Sequence, residues 1–227
     1  MGINLYKTIR TLGLRSFIKS LKFNLHYFGL KKGCRLPVFV SKNVLFNKMR
    51  GEVILDSINT GHIRIGFGSI GIFDRKYDRT VLEFCDGAKI IFCGNCNIGH
   101  GSKISVQNNA VLTFGKYFCI TSNSTIICAK KINFGNNVLI SWDVQIMDTD
   151  FHKIYNNGVL QNPDKEILVG DDVWINSRVV ILKGSVISNG CVVGAMSLLN
   201  KEYKTFNRVL VGVPCHEIRN TNILWER

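Results

Sequence analysis

From residue 92 onward, aliphatic and aromatic residues recur at every sixth position of the chain. An α-helix needs apolar residues every three or four positions, and an isolated strand alternates every two, so neither explains this period. A sustained period of six, with Gly and Asn in between, predicts very short strands separated by turns, with coils stacked on one another. The runs are Phe92, Ile98 and Ile104; Phe114, Ile120, Ile126 and Ile132; Phe134, Ile140 and Ile146; and Val169, Ile175, Ile181, Ile187, Val193 and Leu199.

Small residues follow many of these apolar positions, as in Ile98-Gly99 and Val193-Gly194. Gly and Asn tolerate the left-handed backbone that tight corners require. Three hexads, together about 18 residues, would close one triangular coil of an all-β, parallel β-helix. Residues 50–91 repeat poorly, although Ile65-Gly66 and Phe67-Gly68 are consistent with irregular early coils.

The N-terminal segment follows a different pattern, with apolar residues three to five positions apart and cations between them. This pattern predicts a basic amphipathic helix or helix pair, which Gly29, Gly33 and Pro37 would end. We therefore expect a helical segment over 1–36, a β-helix over 37–220 that includes a protruding loop at 147–168, and a tail over 221–227. The apolar positions are Leu5, Ile9, Leu12, Phe17, Leu21, Leu25 and Phe28.

Charge is concentrated at the N-terminal end of the chain. Residues 1–51 hold eleven of the 29 Lys and Arg and none of the 16 Asp and Glu, so they carry nearly all of the net charge of +13. Such a segment either lies on an anionic membrane surface or packs on the β-helix or a neighbouring subunit, and both interpretations stay open. Because the cations accompany an amphipathic pattern rather than an aromatic-laced face, we expect no nucleic-acid partner.

No apolar run reaches the roughly 18 residues of a membrane span, and cations interrupt the first 22 residues before a signal peptide can form. We therefore expect a cytoplasmic protein, with peripheral contact to the inner membrane face as the alternative. The eight cysteines are scattered, and the lone pair Cys93 and Cys96 has no second pair to complete a zinc site. No metal is expected.

Four segments resemble the hexapeptide-repeat acyltransferases, and the resemblance extends over residues 50–220. Its closest similarity is to polysaccharide, capsule and O-antigen O-acetyltransferases and to galactoside and maltose acetyltransferases. In that superfamily the β-helix is left-handed, which periodicity alone does not reveal. The four segments are Ile146 to His152, Val173-Trp174-Ile175-Asn176-Ser177, Val193 to Lys201, and Gly212-Val213-Pro214-Cys215-His216-Glu217-Ile218-Arg219.

The resemblance implies that His152, in the extended loop, is the catalytic general base. A sugar hydroxyl is a poor nucleophile at neutral pH, and an imidazole can take its proton as it attacks a thioester. Asp148 and Asp150 would orient the ring or bind acceptor hydroxyls, or would only cap the loop. Asn123 matches an asparagine that contacts the acceptor or the thioester, with a plain corner asparagine as the alternative. Trp142 would form a wall for a sugar, unless it is packed in the solenoid.

The resemblance also implies an acetyl-CoA site without metal. Trp174 and Ser177 match positions along the pantetheine arm, although Asn176 replaces the usual Gly. Ala195 and Lys201 match the last CoA-binding coil. His216 and Arg219 match two basic positions that face the CoA phosphates, but His216 replaces the usual Arg or Lys.

We therefore expect an acetyl-CoA-dependent O-acetyltransferase that acts on a sugar or surface-glycan hydroxyl of the capsule or O-antigen kind. Attack on the thioester would be direct, because no cysteine lies in a recognisable nucleophile context. The resemblance implies a homotrimer with active sites between adjacent subunits. The alternatives are a nucleotide-sugar N-acetyltransferase, a non-enzymatic β-solenoid, and a γ-class carbonic anhydrase, whose three-histidine spacing the chain lacks.

Overall fold

The structure is a computed structural model that describes residues 5–68, 70, 71, 74, 76–218 and 222–226, with side chains from residue 8 onward. Two helices come first: α1 spans Leu5–Leu12 and α2 spans Leu14–Gly33, with a break in helical geometry at Gly29. The predicted helix pair is confirmed. Gly29 has φ 64°, a left-handed conformation that glycine adopts without a steric penalty.

Three long sheets, called A, B and C here, form the three sides of the β-helix. Sheet A runs in the order β1 (Val38–Val40), β4 (Ile63–Phe67), β7 (Cys96–His100), β10 (Phe118–Ser122), β13 (Leu139–Trp142), β18 (Trp174–Ile175), β21 (Val192–Val193), β24 (Val209–Gly212) and β25 (Cys215–Glu217). All neighbours in sheet A are parallel except β24 and β25, which form an antiparallel hairpin.

The other two sheets repeat the same parallel stacking. Sheet B contains β2 (Val44–Met49), β5 (Thr80–Phe84), β8 (Lys103–Val106), β11 (Thr125–Cys128), β14 (Gln145–Met147), β19 (Val180–Leu182) and β22 (Leu198–Leu199). Sheet C contains β3 (Glu52–Leu55), β6 (Lys89–Phe92), β9 (Val111–Phe114), β12 (Lys131–Phe134), β17 (Ile167–Val169), β20 (Val186–Ile187) and β23 (Glu202–Tyr203). The chain visits A, B and C in turn, as a left-handed parallel β-helix.

The residues of the six-residue period form the core. In sheet A, Ile98, Ile120 and Ile140 are stacked partners, and all three are buried. In sheet C, the Phe92 and Phe114 rings stack 5.1 Å apart between centroids, and Phe114 and Phe134 follow at 5.8 Å. The sequence prediction that the residues of the six-residue period lie in stacked coils is therefore confirmed, and they point into a shared core.

Coil length differs from the expected eighteen residues in the first half of the β-helix. Ile175 and its stacked partner Val193 are 18 positions apart, but Ile98 and its partner Ile120 are 22 apart. The extra residues lie in longer strands, because β12 directs both Ile132 and Phe134 inward whereas β20 buries only Ile187. A strand with two inward side chains breaks the simple six-residue count.

Polar side chains tie successive corners together between sheets C and A. The backbone N–H of Lys116 donates to Asn136 Oδ1 at 2.9 Å, that of Asn136 to Asp171 Oδ1 at 2.6 Å, and that of Asp171 to Asn189 Oδ1 at 3.0 Å. Each acceptor satisfies a turn N–H of the preceding coil, which strand pairing leaves without a partner.

Candidate active site

The predicted loop leaves the β-helix after β14 and returns at β17. It carries a two-stranded hairpin of β15 (Tyr155–Asn156) and β16 (Val159–Leu160). Asn157 and Gly158 connect these strands, and both have positive φ, at 48° and 77°. Asn-Gly is the preferred pair for this tight turn because both central residues must be left-handed.

Asn162 fastens the two ends of this loop to each other. Its side-chain oxygen accepts the backbone N–H of Ile154 at 2.6 Å. Its amide nitrogen donates to the Asp150 carboxylate and to the backbone carbonyl of His152, both at 2.8 Å. Asn162 therefore holds the backbone on both sides of His152 in place. Asn162 lies in no recognised motif, so this role was not predictable from sequence alone.

Asp150 joins the loop to the body of the β-helix. Lys183, at the turn after β19, donates to the Asp150 carboxylate at 2.5 Å and to the backbone carbonyl of Asn162 at 2.9 Å. The Lys183 hydrogen bond, with a smaller contribution from Asn162, lowers the pKa of Asp150 below its usual value. The Asp150 carboxylate is thus kept charged and hydrogen-bonded to Lys183 and Asn162. These contacts anchor the loop.

His152 lies at the outer end of this anchored segment. Its backbone N–H donates to the carbonyl of Asp150 at 2.7 Å. Its side chain is exposed, as are those of Phe151 and Lys153. The loop therefore positions the His152 backbone firmly while it presents the imidazole outward, away from the core of its own chain.

Asp148 has a different environment from the expected one. The carboxylate is fully buried and accepts backbone N–H groups from Ala129 at 2.6 Å, Lys130 at 2.9 Å and Lys131 at 2.7 Å. These bonds use both carboxylate oxygens at the turn of the preceding coil. The structure therefore contradicts the expectation that Asp148 orients the imidazole, and supports the capping alternative.

Asn123 and Trp142 lie at the corner where the chain passes from sheet A to sheet B. Asn123 is half-buried, with φ 48°, and its side-chain oxygen lies against Gly101 of the preceding coil, where a Cβ would approach it to 1.7 Å. These features fit the corner-asparagine alternative. Trp142 ends β13 and is half-buried, so part of its ring is accessible.

Trp174 and Ser177 lie in the next coil of the same region. Trp174 Nε1 donates to Ser141 Oγ at 3.3 Å, and Asn176 Nδ2 donates to the carbonyl of Val193 at 3.1 Å. Asn176, which stands where the resembling enzymes usually have Gly, therefore adds a hydrogen bond between two coils. Ala195 is exposed one coil later, beside Met196, whose backbone N–H donates to the carbonyl of Ser177 at 3.1 Å.

Trp225 of the C-terminal tail covers Trp174, a contact that the sequence did not suggest. The two ring centroids are 5.9 Å apart, and Trp225 Nε1 donates to the carbonyl of Asp172 at 2.6 Å. Ile223 N–H also donates to the carbonyl of Asn207 at 3.1 Å. The tail thus crosses the last coils and lies on the tryptophan expected along the pantetheine arm.

Two of the three basic positions expected at the CoA phosphates, Lys201 and His216, lie in the last coils of the β-helix. Lys201 is exposed at the corner from sheet B to sheet C, with its ammonium 5.7 Å from the centroid of the Tyr203 ring. His216 is exposed in β25. Arg219 lies outside the described residues.

The expected site residues divide between two edges of sheet B. Four of them lie at the corner from sheet A to sheet B: Asn123, Trp142, Ser177 and Ala195. Another four lie at the corner from sheet B to sheet C: Asp148, Asp150, His152 and Lys201. One chain therefore does not bring His152 next to Asn123 or Trp142, because a whole side of the β-helix separates the two corners.

Four buried cysteines are poorly suited to act as nucleophiles. Burial is the main reason that the pKa values of the Cys96, Cys128, Cys191 and Cys215 thiols are raised, which keeps them protonated and poorly nucleophilic. Within the described ranges no group of three His, Cys, Asp or Glu side chains is placed to hold a metal ion. The described helices include none that is long and apolar enough to span a membrane.

No family model matches the chain. The galactoside O-acetyltransferase of Escherichia coli is 36% identical over 111 residues, which are 48% of this chain and 53% of that protein. A putative lipopolysaccharide biosynthesis O-acetyl transferase of the same organism is 26% identical over 155 residues, covering 63% of this chain and 78% of that protein. The chain thus spans about half of the first relative and more of the second.

The fold has a solved counterpart. A polysialic-acid-specific acetyltransferase superposes with a TM-score of 0.56 at 21% identity, covering 84% of this chain and 89% of the other. The polysialic acid O-acetyltransferase of Neisseria meningitidis is 35% identical over 85 residues, or 37% of each chain. The expected fold and the expected resemblance are both confirmed by these relatives.

Proposed function

We propose that this chain, a member of the hexapeptide-repeat acyltransferase superfamily, transfers an acetyl group from acetyl-CoA to a hydroxyl of a sugar or surface glycan. The observation that carries the proposal is the exposed imidazole of His152 on a loop that Asn162 and Lys183 fasten to the β-helix. A general base has to be both accessible to substrate and held in position. The named relatives that act on galactosides and polysialic acid support the acceptor class.

In the proposed reaction, an imidazole nitrogen of His152 takes the proton of the acceptor hydroxyl as its oxygen attacks the thioester carbonyl. The new C–O bond forms, the C–S bond breaks, and the CoA thiolate accepts the proton that the imidazolium returns. General-base assistance of this kind contributes roughly 10²–10⁴ in rate. No acyl-enzyme is needed, which agrees with the raised pKa values of the buried thiols.

The separation of the two corners supports an assembly in which subunits share the site. Asn123 and Trp142 are on one edge of sheet B and His152 is on the other, so a neighbouring chain has to supply the missing half. We propose a homotrimer in which His152 of one subunit faces the acetyl-CoA bound along Trp174, Ser177 and Ala195 of the next, and in which Lys201 approaches the cofactor from the same side as His152. Arg219 and His216 complete the cationic end of that cofactor site.

The test is acetyl-CoA consumption against a panel of glycan fragments and nucleotide sugars. We expect hydroxyl acceptors to turn over, and His152→Ala to lower kcat by at least roughly 100-fold with little change in CoA affinity. Lys153→Ala, at the next exposed loop position, is the matched control and should keep its activity. Full turnover by a folded His152→Ala protein, or acetylation of amino sugars only, would contradict the proposal.

Subunit sharing has its own test. Two inactive variants, His152→Ala and Trp174→Ala, should regain activity when they are unfolded together and refolded as mixed oligomers, because some sites then receive both intact halves. Light scattering during gel filtration should give three times the mass of 25.6 kDa per chain. A monomer that is fully active, or mixtures that never regain activity, would contradict the shared site.

Lys201 is expected to bind a phosphate of CoA. Lys201→Ala should raise KM for acetyl-CoA more than it lowers kcat, because a contact far from the carbonyl stabilises ground and transition states alike. If dephospho-CoA and CoA lose affinity equally in Lys201→Ala, Lys201 does not contact the 3′-phosphate.

A further inference from the structure

The face of helix α2 that packs on the β-helix combines a row of small polar residues with the core residue Phe23, and some apolar side chains of the helix are left in solvent. Ser16, Ser20, Phe23 and Asn24 are buried against the first coil. On the outer face, Leu14 and Ile18 are 62% and 55% exposed. These two residues are one helical turn apart, so they form a continuous aliphatic ridge. Packing within the chain therefore involves the inner face of α2 and leaves Leu14 and Ile18 on the outer face exposed to solvent.

A basic cleft lies beside this ridge. Its volume is about 410 Å³, and its lining comprises Arg15, Ile18, Lys19, Lys42 and Asn43. Lys19 donates a hydrogen bond to the carbonyl of Val44, which holds the ammonium at the back of the cleft. Burial first, and then the charges of Arg79 and Lys22, lower the pKa of Lys19. Burial and neighbouring positive charges thus both disfavour the charged form of Lys19. A bound anion would relieve the repulsion between these cations.

Acidic side chains do not neutralise this region. Residues 1–51 contain no Asp or Glu. On the N-terminal side of Arg79, the Asp78 carboxylate accepts the N–H of Asp74, and the Asp74 carboxylate accepts the N–H of Lys76. Two cations further along, Lys48 and Arg50, are paired with Glu83 and Asp86. Among the described residues, no ion pair involves Arg15, Lys19 or Lys42.

We propose that Leu14, Arg15, Ile18, Lys19 and Lys42, the cap surface, dock this protein onto an anionic lipid bilayer. Headgroup phosphates would occupy the cleft, and the aliphatic ridge would insert at the boundary of headgroups and acyl chains. A free phosphate would use the cleft but not the ridge, whereas an anionic lipid surface offers both phosphate headgroups and apolar chains. The proposal rests on the cap surface alone and does not depend on the proposed acetyl transfer.

The cap surface lies on an earlier coil than His152 and the other candidate site residues. It covers the first coil, where β1 begins, while the loop of His152 leaves after β14. Docking through the cap would therefore leave the candidate active site facing solvent. The affinity should be modest, since each cation near an anionic surface contributes roughly 1 kcal/mol and a short aliphatic ridge buries little area.

The experiment is co-sedimentation of the full chain with vesicles of 30% phosphatidylglycerol in phosphatidylcholine, beside vesicles of phosphatidylcholine alone. We expect binding to the anionic vesicles only, weakened at least roughly tenfold at 0.5 M salt because the Debye length shrinks to a few ångströms. Arg15→Gln with Lys42→Gln should weaken binding roughly thirtyfold. Leu14→Ser with Ile18→Ser should weaken it as well and leave the salt dependence in place.

The matched control is Lys116→Gln with Lys165→Gln, which removes two exposed cations far from the cap and should bind like the unmodified chain. Circular dichroism melts establish that each variant is folded. The proposal fails if the chain ignores anionic vesicles, if it binds neutral vesicles equally well, or if the control loses as much as the cap variants. It also fails if inorganic phosphate alone, at the salt-matched ionic strength, abolishes the binding, or if a DNA oligonucleotide binds and the vesicles do not.

Discussion

Asn24 in helix α2 and Val38 in strand β1 exchange two hydrogen bonds, as two paired strands would. Asn24 Nδ2 donates to the Val38 carbonyl at 2.6 Å, and the Val38 N–H donates to Asn24 Oδ1 at 3.1 Å. Ser20 Oγ accepts the N–H of Val40 at 2.8 Å, and Ser16 Oγ accepts that of Lys42 at 3.0 Å. The helix thereby satisfies the open edge of sheet A.

The spacing of these contacts follows from geometry. Four residues of helix rise about 6 Å, and two residues of strand rise about 6.6 Å. A row of polar residues at every fourth helical position therefore matches the inward-facing amides of an adjacent strand. An open strand edge is a site for aggregation, and this polar row closes it at the N-terminal end of the β-helix.

Asn24→Leu should lower the free energy of unfolding by about 2–4 kcal/mol. The variant leaves the buried N–H and C=O of Val38 without partners, and each unsatisfied buried group costs about 1–3 kcal/mol. Urea denaturation measures the change. Asn47→Leu, at an exposed position of β2, is the control and should stay within about 0.5 kcal/mol. Equal stability of the two variants would mean that water replaces Asn24 at the edge.

Asp148→Asn should destabilise the protein by at least about 2 kcal/mol. The carboxylate accepts three backbone N–H groups at the Ala129–Lys131 turn, and an amide would direct a donor at one of them. Thermal melting with a parallel activity assay separates the roles. A large loss of kcat with an unchanged melting temperature would restore Asp148 to the catalytic group.

The anchor between Asp150 and Lys183 should weaken in acid. Its hydrogen bonds depress the folded-state pKa of Asp150 below the ordinary value of 3.8. The contribution of this anchor to stability is therefore complete when the pH is above the ordinary pKa of Asp150. It is lost as the pH falls through the depressed folded-state pKa. The protection factors of the amide hydrogens in residues 150–162, which correct for the intrinsic pH dependence of exchange, should stay constant from pH 7 to about pH 4 and fall below about pH 4.

Asp150→Asn serves as the internal comparison for that measurement. It should show lower protection factors in the loop at pH 7 and no further change of the protection factors in acid, because the titrating group is absent. An Asp150→Asn protein that keeps the same acid transition would assign the transition to another group. Lys183→Met should resemble Asp150→Asn and should also lower kcat, since His152 shares the anchored segment.

Trp225→Ala should lower KM for acetyl-CoA. Trp225 lies on Trp174, the residue expected along the pantetheine arm, so the tail has to move aside before the cofactor binds, and its removal abolishes that cost. Steady-state kinetics and CoA titration measure the effect. Phe206→Ala, at an exposed site, is the control. A higher KM in Trp225→Ala would mean that Trp225 is itself part of the cofactor site.

Much of the fold was determined by local pattern. A period of six is incompatible with both helix and ordinary strand, so positions such as Ile98, Ile120 and Val193 had to turn inward in stacked coils. The helix pair followed equally from apolar spacing. The loop at 147–168 was visible as an interruption of the repeat, and its histidine was visible as a result.

Other features depended on contacts between residues that are distant in sequence. Lys183 is 33 positions from Asp150 and Trp225 is 51 from Trp174, and no periodicity connects them. Asp148 looked like a partner of His152 because the two are neighbours in sequence, whereas folding turned its carboxylate toward the preceding coil. The apolar spacing of α2 did not predict that Ser16, Ser20 and Asn24 face the β-helix, because that orientation depends on backbone N–H groups of residues 38–42, which lie 14–26 positions away in sequence.

The sequence by itself thus determined which residues form the core, because burial of a repeated apolar position depends only on its spacing. The tertiary structure decided where polar side chains point, because each hydrogen bond depends on which orphan donor or acceptor lies opposite. It also decided that His152 and Asn123 occupy different edges of sheet B, since the coil path, rather than any local motif, sets the distance between two corners.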